Sequence, residues 1–376
     1  MSIEVRSVSS RRDLRKFINF GYGLYKDCPY AVPALYVDEM DTLSPRRNPA
    51  YGFCDAELFL AYRDGKIAGR VAAIINNNAN ARWNQKAVRF GWLDFIDDPE
   101  VSAALIDKVE QWGRGRGMET VHGPLGFTDF DREGLLVEGF DQMATMSTTY
   151  NYPYYVEHLE RLGFKKELGW IEMRLTVPEK VPERHARLCE AVLKRYNLHV
   201  VHEGSARRRC QKYGKAFFSL VNEGYSDLAG FSELTEDQMN LYISKYLKFI
   251  DHRMMCFIAD GEGRLVAGGV SMPSLSVALQ KSHGRLFPLG WWYMLRALFW
   301  KYPDTLDLLL IAVAKEYRNK GINAIMLGDL IPNYISMGFK WGETTLELES
   351  NSKIQAMWEM YDHRIHKRHS LFAKKL

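Results

Sequence analysis

The hydrophobic and polar positions of the chain repeat one pattern twice, with two apolar runs separated by a short polar turn. The two copies are ELFLAYRDGKIAGRVAAII (57–75) and MMCFIADGEGRLVAGGVSM (254–272). Each turn contains Asp-Gly, beginning at Asp64 and at Asp260. Asp-Gly between apolar runs indicates a hairpin, because glycine tolerates the positive φ that tight hairpin turns require. The pattern predicts one β-hairpin in each half of the chain.

Similar elements surround the two hairpins. A helical pattern precedes each of them, and in the second half Thr235 stands where it could cap the helix. The elements predicted after the hairpins are a strand at 87–96 and a helix at 99–117 in the first half, and strands at 305–314 and 340–350 with helices at 322–337 and 352–364 in the second half. Both halves therefore predict an α/β unit of the same plan.

The length and one interrupted segment indicate two domains. A chain of 376 residues is too long for one ordinary core. The segment TVPEKVPER (176–184) has two prolines and several charges that break the apolar pattern. We predict an α/β fold with two domains in tandem, at 1–178 and 179–376, each a mixed sheet flanked by helices.

Composition excludes several other classes of protein. Hydrophobic residues make up 47% and charged residues 26% of the chain, as in a soluble globular protein. The net charge of +4 is too small to indicate a nucleic-acid partner. Five scattered cysteines without a C-x-x-C pair favour a reducing compartment and argue against zinc or a disulfide frame. The N-terminal charges have no apolar run behind them, so we expect a cytoplasmic protein with no signal peptide.

One strand-to-helix connection has the features of a phosphate site. In AVAKEYRNKGINAIMLGDL (312–330) an apolar strand ends, the turn Arg318, Asn319, Lys320, Gly321 follows, and an apolar helix begins at Ile322 and Asn323. The first N–H groups of a helix lack partners within the helix and lie at the positive end of its dipole. A glycine lets phosphate oxygens approach such backbone groups closely. The turn could hold a pyrophosphate, although the same pattern also occurs in simple connections.

This stretch resembles the signature of the GNAT superfamily of acyl-CoA N-acyltransferases, whose loop reads Arg/Gln-x-x-Gly-x-Gly/Ala after the fourth strand. Arg318 and Gly321 match the loop, whereas Asn323 replaces the second small residue. The resemblance covers roughly 200–376 and implies acetyl-CoA or another acyl-CoA as co-substrate, with no metal. It also implies that the backbone at the strand end, Ala312 and Val313, polarises the thioester.

The first half resembles the same fold more faintly. After its long strand comes IDDPEVSAAL, in which Asp97, Asp98 and Glu100 occupy the start of the helix and no glycine is present. Carboxylates at this position repel a diphosphate. We therefore predict that the first half is a degenerate GNAT-like domain that shapes the acceptor site or has a structural role.

Acyl transfer to an amine needs a base, because an alkylammonium with a pKa of about 10.4 is almost fully protonated at neutral pH. The segment GETTLELESN alternates as a strand, with carboxylates on one face. We take Glu349 and Glu347 as candidate bases. A solvent-exposed, charged strand face would give the same pattern.

The last predicted helix departs from the family. SNSKIQAMWEMY resembles the family's Asn-x-x-Ala-x-x-x-Tyr, in which the tyrosine often protonates the leaving thiolate. Asn351 matches and is assigned to the cofactor, but Trp358 stands at the tyrosine position. Tyr361, three residues on, would lie on nearly the same helical face and is our candidate acid.

Three further features allow two interpretations each. In TTYNYPYYVEHL (148–159), Asn151, Tyr154 and Tyr155 could face a substrate between the domains or belong to the core. GRLFPLGWWYML (284–295) could form a wall for an acyl chain or a core helix. The histidines of YDHRIHKRHS (361–370) recur at three-residue spacing among lysine and arginine, which favours a basic tail over a metal site.

The sequence thus predicts a tandem GNAT-like N-acyltransferase that moves an acyl group, expected to be acetyl, from coenzyme A to a small-molecule or peptide amine. The alternatives are a non-catalytic binding or scaffold protein that kept the fold, and an aminoacyl transferase of the Fem type. No nucleic-acid partner or membrane span is expected, and monomer and homodimer both remain open.

Overall fold

The computed structural model describes residues 3–181, 183–202, 204–228, 230–247 and 250–376. Within these ranges, no helix combines the length and the apolar character needed to cross a membrane.

The first half contains the predicted hairpin and the elements expected around it. Its strands are β1 (Ile3–Ser7), β2 (Cys54–Arg63), β3 (Lys66–Asn76), β4 (Ala87–Phe95), β5 (Thr120–Gly123), β6 (Leu135–Glu138) and β7 (Lys165–Thr176). Its helices are α1 (Arg11–Leu24), α2 (Tyr36–Thr42), α3 (Asn77–Arg82), α4 (Pro99–Arg114) and α5 (Tyr154–Arg161).

The second half repeats this order. Its strands are β8 (Leu198–Val200), β9 (Met255–Asp260), β10 (Leu265–Pro273), β11 (Thr305–Val313), β12 (Trp341–Thr344), β13 (Glu347–Leu348) and β14 (His363–Lys375). Its helices are α6 (Glu183–Tyr196), α7 (Ala206–Tyr225), α8 (Glu236–Lys245), α9 (Ser276–Ser282), α10 (Gly290–Leu295), α11 (Ile322–Ser336) and α12 (Ser352–Trp358).

Local chemistry explains several of these boundaries. Asp64 and Gly65 adopt φ of 49° and 78°, as a two-residue hairpin turn between β2 and β3 requires. Thr235 caps α8 in a full capping box with Gln238, which confirms the predicted helix start. Asp98 caps α4 by accepting a hydrogen bond from the Glu100 N–H, so this helix start is occupied by the protein's own carboxylate.

The strands of both halves form one continuous sheet. Among the residues described above, its main order is β1-β2-β3-β4-β5-β14-β7-β12-β11-β10-β9-β8. β14, from the end of the chain, lies between β5 and β7, while β7 lies between β14 and β12. Each half therefore inserts its last long strand into the sheet of the other. The division at residues 178 and 179 stays a prediction, and strand pairing does not break there.

Two expected elements differ from the structure. The strand expected at 340–350 is broken into β12, which pairs with both β11 and β7, and β13, which pairs with β7 after the chain has left β11 at Thr344. The helix expected at 352–364 ends at Trp358. Its continuation is prevented because residues from His363 onward pair with β7, starting at Leu175.

Candidate active site

The predicted phosphate turn has the backbone geometry of an anion site. β11 ends at Val313, and α11 begins at Ile322 after a turn in which Asn319 and Gly321 have φ of 61° and 78°. Gly321 is the N-cap and supplies no side chain to the first N–H groups, and no acidic residue lies in the first turn of α11. These N–H groups remain available for an acceptor such as a phosphate.

The two cationic side chains of the turn, Arg318 and Lys320, both contact neighbouring groups of the protein. The Arg318 guanidinium donates to the backbone oxygens of Val313 at 3.3 Å and Glu223 at 3.1 Å. The Lys320 Nζ lies 5.0 Å from the ring centre of Tyr196. Arg318 thus fastens the turn to the end of β11, while Lys320 supplies a positive charge beside the start of the helix.

Directly before this turn, β11 has an edge with which no strand of the described residues pairs. Its pairing with β12 stops at Leu308 opposite Thr344, and its register with β10 shifts between Val270 and Ser271. On the other side, β10 continues to pair with β11 as far as Val313. A strand with one unpaired edge can bind an extended amide chain as an added strand. The predicted residues Ala312 and Val313 lie in this part of β11.

Glu347 lies on β13, in an environment that suits a general base. Trp358 Nε1 donates to Glu347 Oε1 at 2.9 Å. Glu347 Oε2 is buried and has no hydrogen-bond partner among the described residues. Burial raises the pKa of Glu347 to about 7, although the Trp358 hydrogen bond acts to lower it. A carboxylate with a free oxygen and a pKa near 7 is suited to general-base work at neutral pH.

Tyr225, which the sequence reasoning missed, contacts β11 and lies near enough to Glu347 to feel its charge. Its hydroxyl donates to the Ile311 backbone oxygen at 3.3 Å. Burial raises the pKa of Tyr225 to about 12, and the Glu347 carboxylate contributes to the increase. No sequence signal distinguishes this tyrosine at the end of α7, because its position depends on how α7 packs across β11.

Glu349, the other predicted base, lies in a different environment. It pairs with Lys166 at 2.9 Å and with Arg368 at 3.0 Å, and its side chain is only partly buried. Partial burial acts to raise its pKa, but the hydrogen bonds and charges of Lys166 and Arg368 outweigh this and lower it. Glu349 is thus an ionised partner of two cations, which suits a base less well than the environment of Glu347.

Tyr361 does not lie on the helical face that was predicted for it. Because α12 ends at Trp358, Tyr361 follows in a turn, and its N–H donates to the Trp358 oxygen. Its hydroxyl lies 3.4 Å from His185 Nδ1. The expectation of a shared helical face was wrong, and the role of Tyr361 as an acid stays a prediction. Asn351 is the N-cap of α12 but makes no side-chain capping bond.

Asn151, unlike the other predicted substrate residues Tyr154 and Tyr155, lines a cavity between the halves. The cavity has a volume of about 370 Å³, and Asn151 lines it together with Gln280 and His283 of the second half. The Asn151 amide is itself bonded to the backbone of Leu136. Asn151 therefore supports the cavity wall with its polar atoms.

The two tyrosines beside Asn151 are tied to the protein itself. The Tyr155 hydroxyl is buried and contacts Tyr25 and Asp94 at 2.8 and 3.3 Å. The Tyr154 hydroxyl donates to the Phe95 oxygen at 2.6 Å. Both therefore belong to the polar network beneath the cavity, and their contact with a substrate stays a prediction.

A buried polar cluster at the junction of the halves was missed. Glu172 Oε2 lies 2.8 Å from Lys367 Nζ, and Glu172 Oε1 lies 2.7 Å from His369 Nε2. A register shift between Ile365 and Lys367 is a bulge that lets consecutive side chains of β14 face one side. His369 is fully buried, so the predicted basic tail is wrong for this residue. Its carboxylate partner comes from β7, which no local pattern could indicate.

The cluster continues onto β11 and β12. Asp307 and Glu343 are register partners, and burial, with a contribution from Glu343, raises the pKa of Asp307 to about 7. Ligand atoms of Glu172, Glu343 and His366 lie within 4.8 Å of one another and could hold a metal ion. The Lys367 ammonium lies 2.8 Å from Glu172 and 3.7 Å from Glu343, so the protein already places a cation among these carboxylates.

Two curated proteins are similar to the chain over almost its full length. No protein-family model matches the chain. The chain is 28% identical to protein YghO of Escherichia coli over 99% of its length and 95% of that protein. It is 25% identical to a bacterial ceramide synthase of Caulobacter vibrioides over 100% of its length and 98% of that protein.

Solved structures define the fold. A tandem GNAT protein from the clavulanic acid biosynthesis pathway matches with a TM-score of 0.56 and 12% identity, covering 100% of this chain and 98% of that one. The chain therefore has the fold of the GNAT superfamily of acyl-CoA N-acyltransferases, repeated in tandem.

Proposed function

We propose that the protein is an N-acyltransferase that moves an acyl group from coenzyme A to the primary amine of a long-chain amino alcohol. The observation that carries the reaction type is the buried Glu347 carboxylate on β13, with one free oxygen and a raised pKa. The similarity to a bacterial ceramide synthase supports the acceptor class, because a ceramide is the amide of a long-chain amino alcohol.

In this proposal the turn before α11 holds the pyrophosphate of the acyl-CoA. The N–H groups of Ile322 and Asn323 face the phosphates at the positive helix end, and Lys320 adds a charge. The amide-containing arm of the cofactor extends along the free edge of β11 as an added strand. Its thioester carbonyl reaches the end of β11 at Ala312 and Val313, where the Val313 N–H, which points away from β10, stabilises the oxyanion that forms during attack.

Glu347 then performs the proton chemistry. The acceptor arrives as an ammonium, and Glu347 removes one proton, directly or through a water molecule. The free amine attacks the thioester carbon, so a C–N bond forms and the C–S bond breaks. The leaving thiolate takes up the second proton from the nitrogen, and Glu347 returns the first to solvent. Trp358 holds the Glu347 carboxylate through its indole N–H and takes no part as an acid.

Cofactor binding is tested by a matched pair of glycine substitutions. Gly321→Glu places a carboxylate at the phosphate turn, whereas Gly338→Glu places one just beyond the other end of α11. Both glycines have positive φ, at 78° and 80°; a Cβ at Gly338 would meet no atom within 4 Å, and one at Gly321 would lie 3.3 Å from the Val192 side chain. We expect coenzyme A to raise the melting temperature of the wild type and of Gly338→Glu but not of Gly321→Glu. Equal responses of the two variants would contradict the phosphate site.

The reaction is tested by coenzyme A release and by mass spectrometry of the amide. The donors are acetyl-CoA, which the sequence favours, and palmitoyl-CoA. The acceptors are sphinganine, ethanolamine, a peptide amine and a long-chain alcohol without an amine. We expect turnover with sphinganine and none with the alcohol. Binding of coenzyme A without acylation of any amine would instead favour a binding protein.

A second pair of variants separates the two candidate bases. Glu347→Gln keeps the shape but removes the proton acceptor, and we expect a loss of about 10²- to 10⁴-fold in kcat/KM. Glu349→Gln alters a carboxylate that is paired with Lys166 and Arg368, and we expect a change of less than about tenfold. The reverse order would assign the base to Glu349.

A further inference from the structure

The segment from α9 to β11 carries a large group of exposed aromatic and aliphatic side chains. This aromatic patch consists of Phe287, Leu289, Trp291, Trp292, Phe299 and Trp300. Phe287 is 79% exposed and Trp300 is 63% exposed. The sequence allowed a core helix here, and the outward position of these side chains makes that interpretation wrong for them. Exposed apolar patches of this kind mark interaction surfaces.

The patch is a surface with a fixed shape. The ring of Trp292 lies 5.3 Å from that of Trp300 and 6.1 Å from that of Trp291. Beneath it, Leu279 and Met294 pack into a buried cluster with Val32 and Ala144 of the first half. The exposed rings are therefore presented from a rigid base to which both halves contribute.

The charged side chains of the segment that carries the patch have one sign. Its basic rim consists of Lys281, Arg285, Arg296 and Lys301, all of which are exposed. No Asp or Glu occurs in the sequence between Glu262 and Asp304. A segment that exposes tryptophan and phenylalanine with lysine and arginine, and that contains no acidic residue, is complementary to an anionic lipid headgroup layer above hydrocarbon.

We propose that the aromatic patch and its basic rim dock the protein on the surface of an anionic phospholipid bilayer. The aromatic rings enter the boundary between headgroups and acyl chains, and the basic rim contacts the phosphates. A second copy of the chain is a poorer occupant. A two-fold contact places each patch against itself, which would bring the two basic rims together without an acidic partner.

Flotation of the full chain with vesicles tests this proposal without any substrate. We expect strong partition onto vesicles of phosphatidylcholine with phosphatidylglycerol and weaker partition onto phosphatidylcholine alone. Phe287→Ser with Trp300→Ser removes the two most exposed rings, and we expect at least a tenfold loss of partition. The matched control, Leu188→Ser with Met360→Ser, alters two exposed apolar side chains elsewhere and should change partition less than twofold.

A second pair of variants tests the basic rim. Each basic residue near an anionic surface contributes about fivefold to partition, so Arg296→Gln with Lys301→Gln should reduce it by about 25-fold on anionic vesicles. The same variant should change binding to phosphatidylcholine little. The control, Lys66→Gln with Lys86→Gln, neutralises two exposed lysines on the first half and should leave partition nearly unchanged.

Two results would overturn the proposal. One is partition that is equal in the wild type and in both patch variants. The other is a dimer, measured by light scattering, that becomes a monomer on substitution of Phe287 and Trp300 while no variant binds vesicles. The second result would assign the patch to a second copy. Circular dichroism of each variant confirms that a loss of partition is not a loss of fold.

Discussion

The pH dependence of catalysis tests the assignment of Glu347 most directly. Burial raises the pKa of Glu347 to about 7, so about one tenth of the molecules carry the ionised base at pH 6 and about half at pH 7. If Glu347 removes the proton, the ratio of the wild-type rate to the Glu347→Gln rate rises about tenfold per pH unit as the pH is raised toward 7. Above pH 7 the ratio levels off. Both proteins act on the same amine, so the effect of its titration cancels in the ratio of their rates.

Trp358 provides an independent perturbation of the same group. Its indole N–H stabilises the ionised form of Glu347 across 2.9 Å, so Trp358→Phe should raise the pKa of Glu347 further. Hydrogen bonds to charged groups contribute about 1.5–3 kcal/mol, and one pKa unit corresponds to about 1.4 kcal/mol. Because Glu347 keeps some contact with solvent, we take the low end and expect the acidic limb to move from about pH 7 to about pH 8.

The assay is the initial rate of coenzyme A release at subsaturating donor and acceptor, from pH 5.5 to pH 9, for the wild type and both variants. A wild-type to Glu347→Gln ratio that does not change with pH would refute the role of Glu347 as the base. If the acidic limb of the pH–rate profile of Trp358→Phe lies at the same pH as in the wild type, or at lower pH, the indole does not stabilise the ionised Glu347 carboxylate. Melting temperatures serve as the control for folding.

The buried cluster at the junction makes two further predictions about stability. The pKa of Asp307 is raised from 3.8 to about 7, so its protonated form stabilises the fold below about pH 4, and this contribution is lost as pH rises through 7. Asp307→Asn should therefore gain stability over the wild type between pH 4 and pH 8, by at most about 4 kcal/mol in urea titrations, whereas a constant difference would contradict the assignment. Lys367→Met removes the ammonium 2.8 Å from the buried Glu172 and should cost about 3–5 kcal/mol. Lys86→Met, which breaks the exposed pair with Glu119, should cost much less because solvent screens that pair, and equal costs would contradict the reasoning.

Local patterns in the sequence were sufficient for the elements that form from neighbouring residues. The hairpin at Asp64 and Gly65, the cap at Thr235 and the helix start after Gly321 all depend on backbone conformations that those residues favour. The sequence also shows the acidic start of α4, where the Asp98 carboxylate caps the helix by accepting a backbone hydrogen bond. These parts of the fold were predicted correctly because their causes lie within a few positions of each other.

The candidate site was only partly predictable, because its properties depend on contacts between residues that are distant in the sequence. Glu347 and Glu349 looked equivalent on an alternating strand, and only the packing of Trp358 against one, and of Lys166 and Arg368 against the other, gives them different pKa values. Tyr361 was placed on a helical face because nothing local shows that β14 begins two residues later.

The sequence by itself determined the order of elements, the tandem repeat and the glycine turn at 318–323, since these follow from hydrophobic period and backbone preference. Tertiary structure alone decided that β7 and β14 cross into each other's sheets and thereby bring Glu172 against Lys367 and His369. It also decided that the aromatic segment at 286–300 faces outward. Such contacts join residues distant in the chain, and the free energy of burial that selects them depends on the whole packed sheet.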